Sequence, residues 1–184
     1  MRIFISGGCK NGKSTYAQQL AKHQNNPPHP IYYVATMAAT DHEDEERIAR
    51  HQHERDGWGF TTVEQPKNIE GILTTCNHSG SFLLDSLTAL LANEMFLATG
   101  EVDSSAYEKI ATGLSQVLSK VSNIVIVSDY IYSDAFIYDS VTEDYRKSLA
   151  YLDRFVAKHC DVVLEAAYTQ IVIHKGEGML NAIY

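Results

Sequence analysis

The chain has 184 residues, the usual size of one domain, and carries 15 Lys and Arg against 23 Asp and Glu, a formal charge of −8. Such an acidic surface repels phosphate backbones and anionic lipid, which argues against nucleic-acid or membrane binding through general electrostatics. A hydrophobic fraction of 45% is enough to bury a core, and no apolar run approaches the roughly 18 residues needed to cross a bilayer. The run Met1 to Ser6 passes straight into a strand-like pattern, unlike a signal peptide. Cys9, Cys76 and Cys160 are scattered, without the spacing of a disulfide framework or a zinc knuckle, which fits reduced thiols in the cytoplasm.

Arg2–Ser6 is the first of several short runs, rich in Ile, Val, Leu and aromatics, that read as buried strands. Lys13–His23 follows as a helix, directly after a glycine turn. Asn25 to Pro30 is linker-like but too short to separate domains. Ile31–Ala35 is the next strand, Glu43–Arg55 a charged amphipathic helix, Phe60–Glu64 a weaker strand and Asn68–Cys76 a short helix. Ser81–Asp85 is a strand and Ser86–Leu97 a strongly apolar helix. Ala106–Ser122 and Val141–His159 carry apolar residues at three- and four-residue spacing and read as helices. Ile124–Ser128 and Asp161–Glu165 are strands, and Thr169–His174 lies close enough behind the latter to pair with it as a hairpin. Strands alternating with helices specify βαβ units. The expected fold is therefore one α/β domain over residues 1–184, with a doubly wound, mostly parallel sheet and an antiparallel hairpin at its C-terminal edge. Ligands of such sheets bind beyond the carboxyl ends of the strands, so the residues there hold the functional interest.

Gly7-Gly8-Cys9-Lys10-Asn11-Gly12-Lys13-Ser14 fits G-x-x-x-x-G-K-[ST], with a strand before it and an amphipathic helix after it. This is the phosphate loop of the P-loop NTPases, and the expected sheet is of the P-loop NTPase (RecA-like) type. Its glycines let backbone N–H groups turn inward around phosphate oxygens, and the helix N-terminus adds its dipole. Lys13 is placed to neutralise the β- and γ-phosphates, and the Ser14 hydroxyl to hold Mg²⁺. Such loops use an acid at the end of a neighbouring strand to anchor the magnesium shell. Asp85 ends its strand and is the candidate; capping the helix that starts at Ser86 is its plainer role.

The stretch Asp41 to Arg55 is dense in titratable groups. On a helix, Arg47, His51 and Arg55 fall at i, i+4 and i+8 on one face. Two guanidiniums beside an imidazole favour its neutral, nucleophilic form and grip a triphosphate. His53 points about 200° away from His51 at about 100° per residue, so the two do not converge on zinc. A solvated helix with i,i+4 charge pairs fits the same spacing. Tyr130, Tyr132, Tyr138, Tyr145 and Tyr151 suit either a flat-ligand surface or packing and a subunit interface.

Taken in order, several segments resemble the CobU family. They are Gly7–Ser14, Tyr33-Val34-Ala35-Thr36, Arg47-Ile48-x-x-His51-x-x-x-Arg55, Trp58, Thr62-Val63-Glu64-Gln65-Pro66, and Asp85-Ser86-Leu87-Thr88 with Asn93. Members of that family are adenosylcobinamide kinase / adenosylcobinamide-phosphate guanylyltransferases of cobalamin biosynthesis. The resemblance implies two steps. ATP or GTP phosphorylates the aminopropanol hydroxyl of adenosylcobinamide, and GTP then guanylylates a histidine that passes GMP to the cobinamide phosphate. Carried over by residue, His51 is the nucleophile and Lys13 its catalytic companion. Gly7, Gly8, Cys9, Lys10, Asn11, Gly12, Lys13, Ser14, Thr36, Arg47, Arg55 and Glu64 bind nucleotide, while Ser14 and Asp85 serve Mg²⁺. The resemblance also implies a corrinoid substrate and a trimeric, propeller-like assembly.

The second half departs from that pattern. The family's Asn-Glu-Val-Gly-x-Gly-x-x-Pro is replaced by the segment from Asp129 to Ile137, with Tyr132 and Asp134 at the glycines and Ile137 at the proline. Lys147 stands for an Asp, and Asp153-Arg154 for Asn-Gln. Gly to Asp removes backbone freedom and adds negative charge. These changes leave open a P-loop kinase of another small alcohol, or a non-catalytic nucleotide-binding regulator.

Overall fold

The computed structural model describes residues 1–38 and 57–181. The expected helix Glu43–Arg55, with Arg47, His51 and Arg55, lies outside the described residues. The strands are Arg2–Gly7 (β1), Ile31–Ala35 (β2), Phe60–Glu64 (β3), Ser81–Asp85 (β4), Asn123–Asp129 (β5), Val162–Ala167 (β6) and Gln170–Lys175 (β7). The helices are Lys13–Gln24 (α1), Ile72–Thr75 (α2), Leu87–Met95 (α3), Ala106–Lys120 (α4), Ser140–His159 (α5) and Glu177–Leu180 (α6), and Ile69–Gly71 forms a 3₁₀ turn before α2. The expected strands and helices agree with these to within a few residues. α6 was not expected, because a single turn has too few residues to show a period.

Among the described residues the strands form one sheet in the order β3-β2-β4-β5-β1-β6-β7. β7 runs antiparallel to β6, as the hairpin expectation required, and the other pairs are parallel. Side chains alternate across a strand, and here each set has its own cover. Phe4, Val34, Phe82, Leu84, Ile124 and Ile126 pack with apolar residues of α3, α4 and α5. Ile3, Ile5, Tyr33, Leu83, Val125 and Val127 face Ala17, Leu20 and Ala21 of α1 and Leu180 of α6. Both faces of β1, β4 and β5 are thus buried, which is why these strands read as nearly unbroken apolar runs. The edge strands β3 and β7 are more exposed, and β7 alternates along most of its length.

The registers bring the carboxyl ends level. Gly7 of β1 lies opposite Asp129 of β5 on one side and Ala166 of β6 on the other. Ala35 of β2 lies opposite Asp85 of β4 and Glu64 of β3. β5 stands between β1 and β4, so Asp85 is on the second strand from the loop and Asp129 is the acid on the adjacent one.

α3 is capped by Ser86, whose hydroxyl accepts from the Ala89 N–H at 3.3 Å. The capping role is therefore filled by the residue after Asp85. Ser86→Ala is expected to lower stability by about 1 kcal/mol, the usual worth of an N-cap hydroxyl, as a shifted urea midpoint at unchanged slope. No helix among the described residues is long and apolar enough to cross a membrane.

Candidate active site at the carboxyl ends of the strands

The loop after β1 is built for close approach. A Cβ on Gly7 would lie 2.5 Å from the Ala166 carbonyl oxygen, so no larger residue fits between β1 and β6. Gly12 has φ 79°, the left-handed conformation from which α1 starts, and its carbonyl accepts the first helical bond from Tyr16 at 3.1 Å. Lys10 also adopts positive φ, 58°. The Asn11 amide donates to the Ala166 carbonyl at 3.3 Å and ties the loop to β6.

Lys13, the first residue of α1, is only 6% exposed. Its ammonium donates to the Gly8 carbonyl at 3.0 Å and forms an ion pair with the Asp129 carboxylate. Cys9 is an exposed free thiol whose Sγ lies 3.9 Å from Asp129 Oδ1. Ser14 follows Lys13 in the first turn of α1.

The other predicted residues at the strand ends are tied to one another. The Tyr33 hydroxyl donates to Asp85 Oδ2 at 2.9 Å. Thr36 is fully buried. Its hydroxyl donates to the Ser86 carbonyl and accepts from the Ser86 N–H, each at 2.7 Å. Its carbonyl accepts from Asn93 at 2.6 Å, and Asn93 also donates to the Pro66 carbonyl at 3.2 Å. The threonine hydroxyl and Asn93 thus clasp the ends of β2, β3 and β4 together. Glu64 lies at the exposed end of β3. The structure brings Gly7–Ser14 and Asp129 together and sets Thr36 and Asp85 in a second group.

Behind the loop lies a buried polar layer that sequence reasoning missed. Asp153 of α5 is 4% exposed and accepts from the Tyr132 hydroxyl at 2.7 Å. Among the described residues, neither its other oxygen, Oδ1, nor the buried Ser128 hydroxyl makes a hydrogen bond of ordinary geometry. Burial pushes the Asp153 carboxyl up to about 6; the nearby Ser128 and Tyr132 hydroxyls oppose the shift, and the Asp129 charge adds to it. Burial likewise raises the Tyr132 phenol, with the Asp153 charge adding to it. Tyr145, whose hydroxyl donates to the Thr88 carbonyl at 2.9 Å, is pushed up to about 12 by burial and then by the charge of Asp129.

The segment that departs from the expected pattern hangs on one guanidinium. Arg146 pairs with Asp134 at 3.0 Å and Glu143 at 2.6 Å, donates to the Ile131 carbonyl at 3.3 Å, and stacks 4.8 Å from the Tyr138 ring centre. Asp134 therefore has a structural partner, and so does Tyr132 in Asp153. Beyond them Phe136 and Ile137 are 74% and 97% exposed. Of the five tyrosines, Tyr132 and Tyr145 fill the layer behind the loop, Tyr138 stacks on Arg146, and Tyr151 pairs edge-on with Tyr107.

A family model described as cobinamide kinase / cobinamide phosphate guanyltransferase matches residues 3–169. The chain belongs to this cobinamide kinase family. The relatives include the bifunctional adenosylcobalamin biosynthesis protein CobU of Salmonella typhimurium, 29% identical over 114 residues. That match covers 60% of this chain and only 59% of the relative's length. The bifunctional adenosylcobalamin biosynthesis protein CobP of Pseudomonas aeruginosa is 27% identical over 164 residues, 89% of this chain and 91% of the relative. Among solved structures, the KaiC-like protein PH0186 of Pyrococcus horikoshii OT3 superposes with a TM-score of 0.52 at 14% identity, over 95% of this chain and 78% of that one. A second solved structure, an ATPase domain, gives 0.53 at 11% identity, over 95% of this chain and 76% of that one. At these identities the structural likenesses speak for the fold alone. They and the sheet bear out the P-loop NTPase architecture, and the family match bears out the resemblance to the cobinamide kinases.

Proposed function

We propose that the chain carries out both steps implied by its family. In the first, the γ-phosphoryl group of ATP or GTP passes to the aminopropanol hydroxyl of adenosylcobinamide. The alcohol oxygen forms a bond to phosphorus as the bond to the bridging oxygen breaks, the nucleoside diphosphate leaves, and the hydroxyl proton is released. In the second, a ring nitrogen of His51 attacks the α-phosphorus of GTP and expels pyrophosphate; the cobinamide phosphate then takes GMP from the phosphoramidate and frees the imidazole. The observation that carries the reading is Lys13, a buried ammonium presented at the mouth of a phosphate-loop turn in a chain of this family.

The Ser14 hydroxyl and the Asp85 carboxylate are hard oxygen donors of the kind that suit Mg²⁺. Among the described residues no group of three or more His, Cys, Asp or Glu converges on a metal ion, so the ion would be shared with nucleotide phosphates. Bound there, Mg²⁺ would supply charge neutralisation on the phosphoryl oxygens. Arg47, Arg55, Thr36 and Glu64 complete the nucleotide site in this reading. The corrinoid substrate, a cytoplasmic location and a trimeric assembly belong to the same proposal and rest on the family.

The two activities separate experimentally. Incubation with α-labelled GTP is expected to leave label on the protein, stable in base, labile in acid and absent from His51→Ala. A chain that never takes label lacks the guanylyltransferase step. A second reading is favoured by the segment fastened to Arg146, where Tyr132 and Asp134 replace the family's glycines: a kinase with the same phosphate loop that acts on another small alcohol. Nucleotide turnover with other alcohols and none with adenosylcobinamide would select it.

A further inference from the structure

We propose that Asp129 makes the phosphate loop select metal-complexed nucleoside triphosphate over the free polyanion. This inference rests on the loop binding nucleotide as described above. Asp129 ends β5 directly opposite Gly7, and its carboxylate pairs with the ammonium meant for phosphate oxygens. The position is a built one. The Asp129 N–H donates to the Thr88 hydroxyl at 2.9 Å, and the Thr88 carbonyl is held in turn by Tyr145 at 2.9 Å, so α3 and α5 both fix the end of β5. Lys13 is equally confined, 7% exposed at its side chain against 22% for the carboxylate.

A polyphosphate that reaches Lys13 therefore comes alongside a fixed negative charge, partly shielded from water. Repulsion between like charges at contact distance is strong at such a site. The free nucleotide meets it in full. A nucleotide that brings Mg²⁺ arrives with some of its charge neutralised, so the repulsion it meets is smaller. Asp129 thus opposes one form of the ligand and tolerates the other, which is how a single charge generates specificity.

The test is calorimetric titration of ATP and of GTP into the full chain, in excess Mg²⁺ and in excess EDTA, without corrinoid. Wild type is expected to bind at least about tenfold more weakly in EDTA. Asp129→Asn keeps the size of the side chain and the backbone contact to Thr88. It is expected to tighten binding in EDTA about tenfold while changing binding in Mg²⁺ by less than about threefold, so that the ratio collapses. Asp129→Ser, which also lacks the charge, is read in the same way if the amide variant does not fold. An unchanged ratio in both variants overturns the role of Asp129 while leaving the phosphate loop standing. Failure of wild type to bind nucleotide in either buffer overturns the loop reading itself.

Discussion

Lys13→Ala is expected to lower kcat/KM for phosphoryl transfer by about a thousandfold, the scale set by removing one preorganised charge from a transition state. Phosphoryl transfer asks little covalent work of a protein. It asks for position and for positive charge where negative charge spreads over the transferred group. Lys13 supplies both, because the first turn of α1 fixes its stem and the Gly8 carbonyl fixes its ammonium. Its loss also leaves the Asp129 carboxylate without its ion-pair partner among the described residues, beside incoming phosphates. The double variant Lys13→Ala/Asp129→Asn should therefore recover some of the loss, by about tenfold. Steady-state turnover of γ-labelled nucleotide against adenosylcobinamide measures both effects, with thermal unfolding as the check on folding. Near-normal turnover in the single variant would remove Lys13 from the chemistry.

What the sequence disclosed and what it hid follow from the range of the interactions involved. β1, β4 and β5 were legible because helices cover both their faces, which demands apolar residues at every position. The phosphate loop was legible because close approach to β6, a left-handed turn and an anchored ammonium each require one residue type at one spacing. Strand order was not legible. Nothing local says that β5 enters between β1 and β4, and only that insertion makes Asp129 the loop's neighbour. The same holds for Tyr132 with Asp153 and for Asp134 with Arg146, which meet across 21 and 12 positions of chain. Along the sequence, each looks like a lost glycine or a stray charge; in the fold each has a partner. Thr36 shows the converse. Its place in the motif pointed to nucleotide, while its hydroxyl is engaged with the backbone of Ser86.

Asp153→Asn is expected to stabilise the protein near pH 7.5 by about 3 kcal/mol, because the carboxyl is pushed up from 3.8 to about 6 and each step of one in pH is worth about 1.4 kcal/mol. The carboxyl titrates near 6 in the folded chain, against 3.8 ordinarily, because burial opposes its charged form. A folded-state value above the unfolded one means that the native protein holds this proton more tightly. The favourable contribution is complete below about pH 4 and is lost as pH rises through about 6, where the fold must keep a carboxylate almost out of water. Asparagine has nearly the same shape and keeps an acceptor for the Tyr132 hydroxyl, but never ionises. The advantage of the variant should therefore shrink to less than about 1 kcal/mol by about pH 4, which urea titrations at the two pH values would resolve. An advantage of equal size at both would mean that packing, not ionisation, separates the two side chains. A gap that closes with acid would show that the layer behind Ser128 and Asp129 carries a charge at neutral pH. The carboxylate of Asp129, and through it the ammonium of Lys13, would then sit in a field that α5 helps to set.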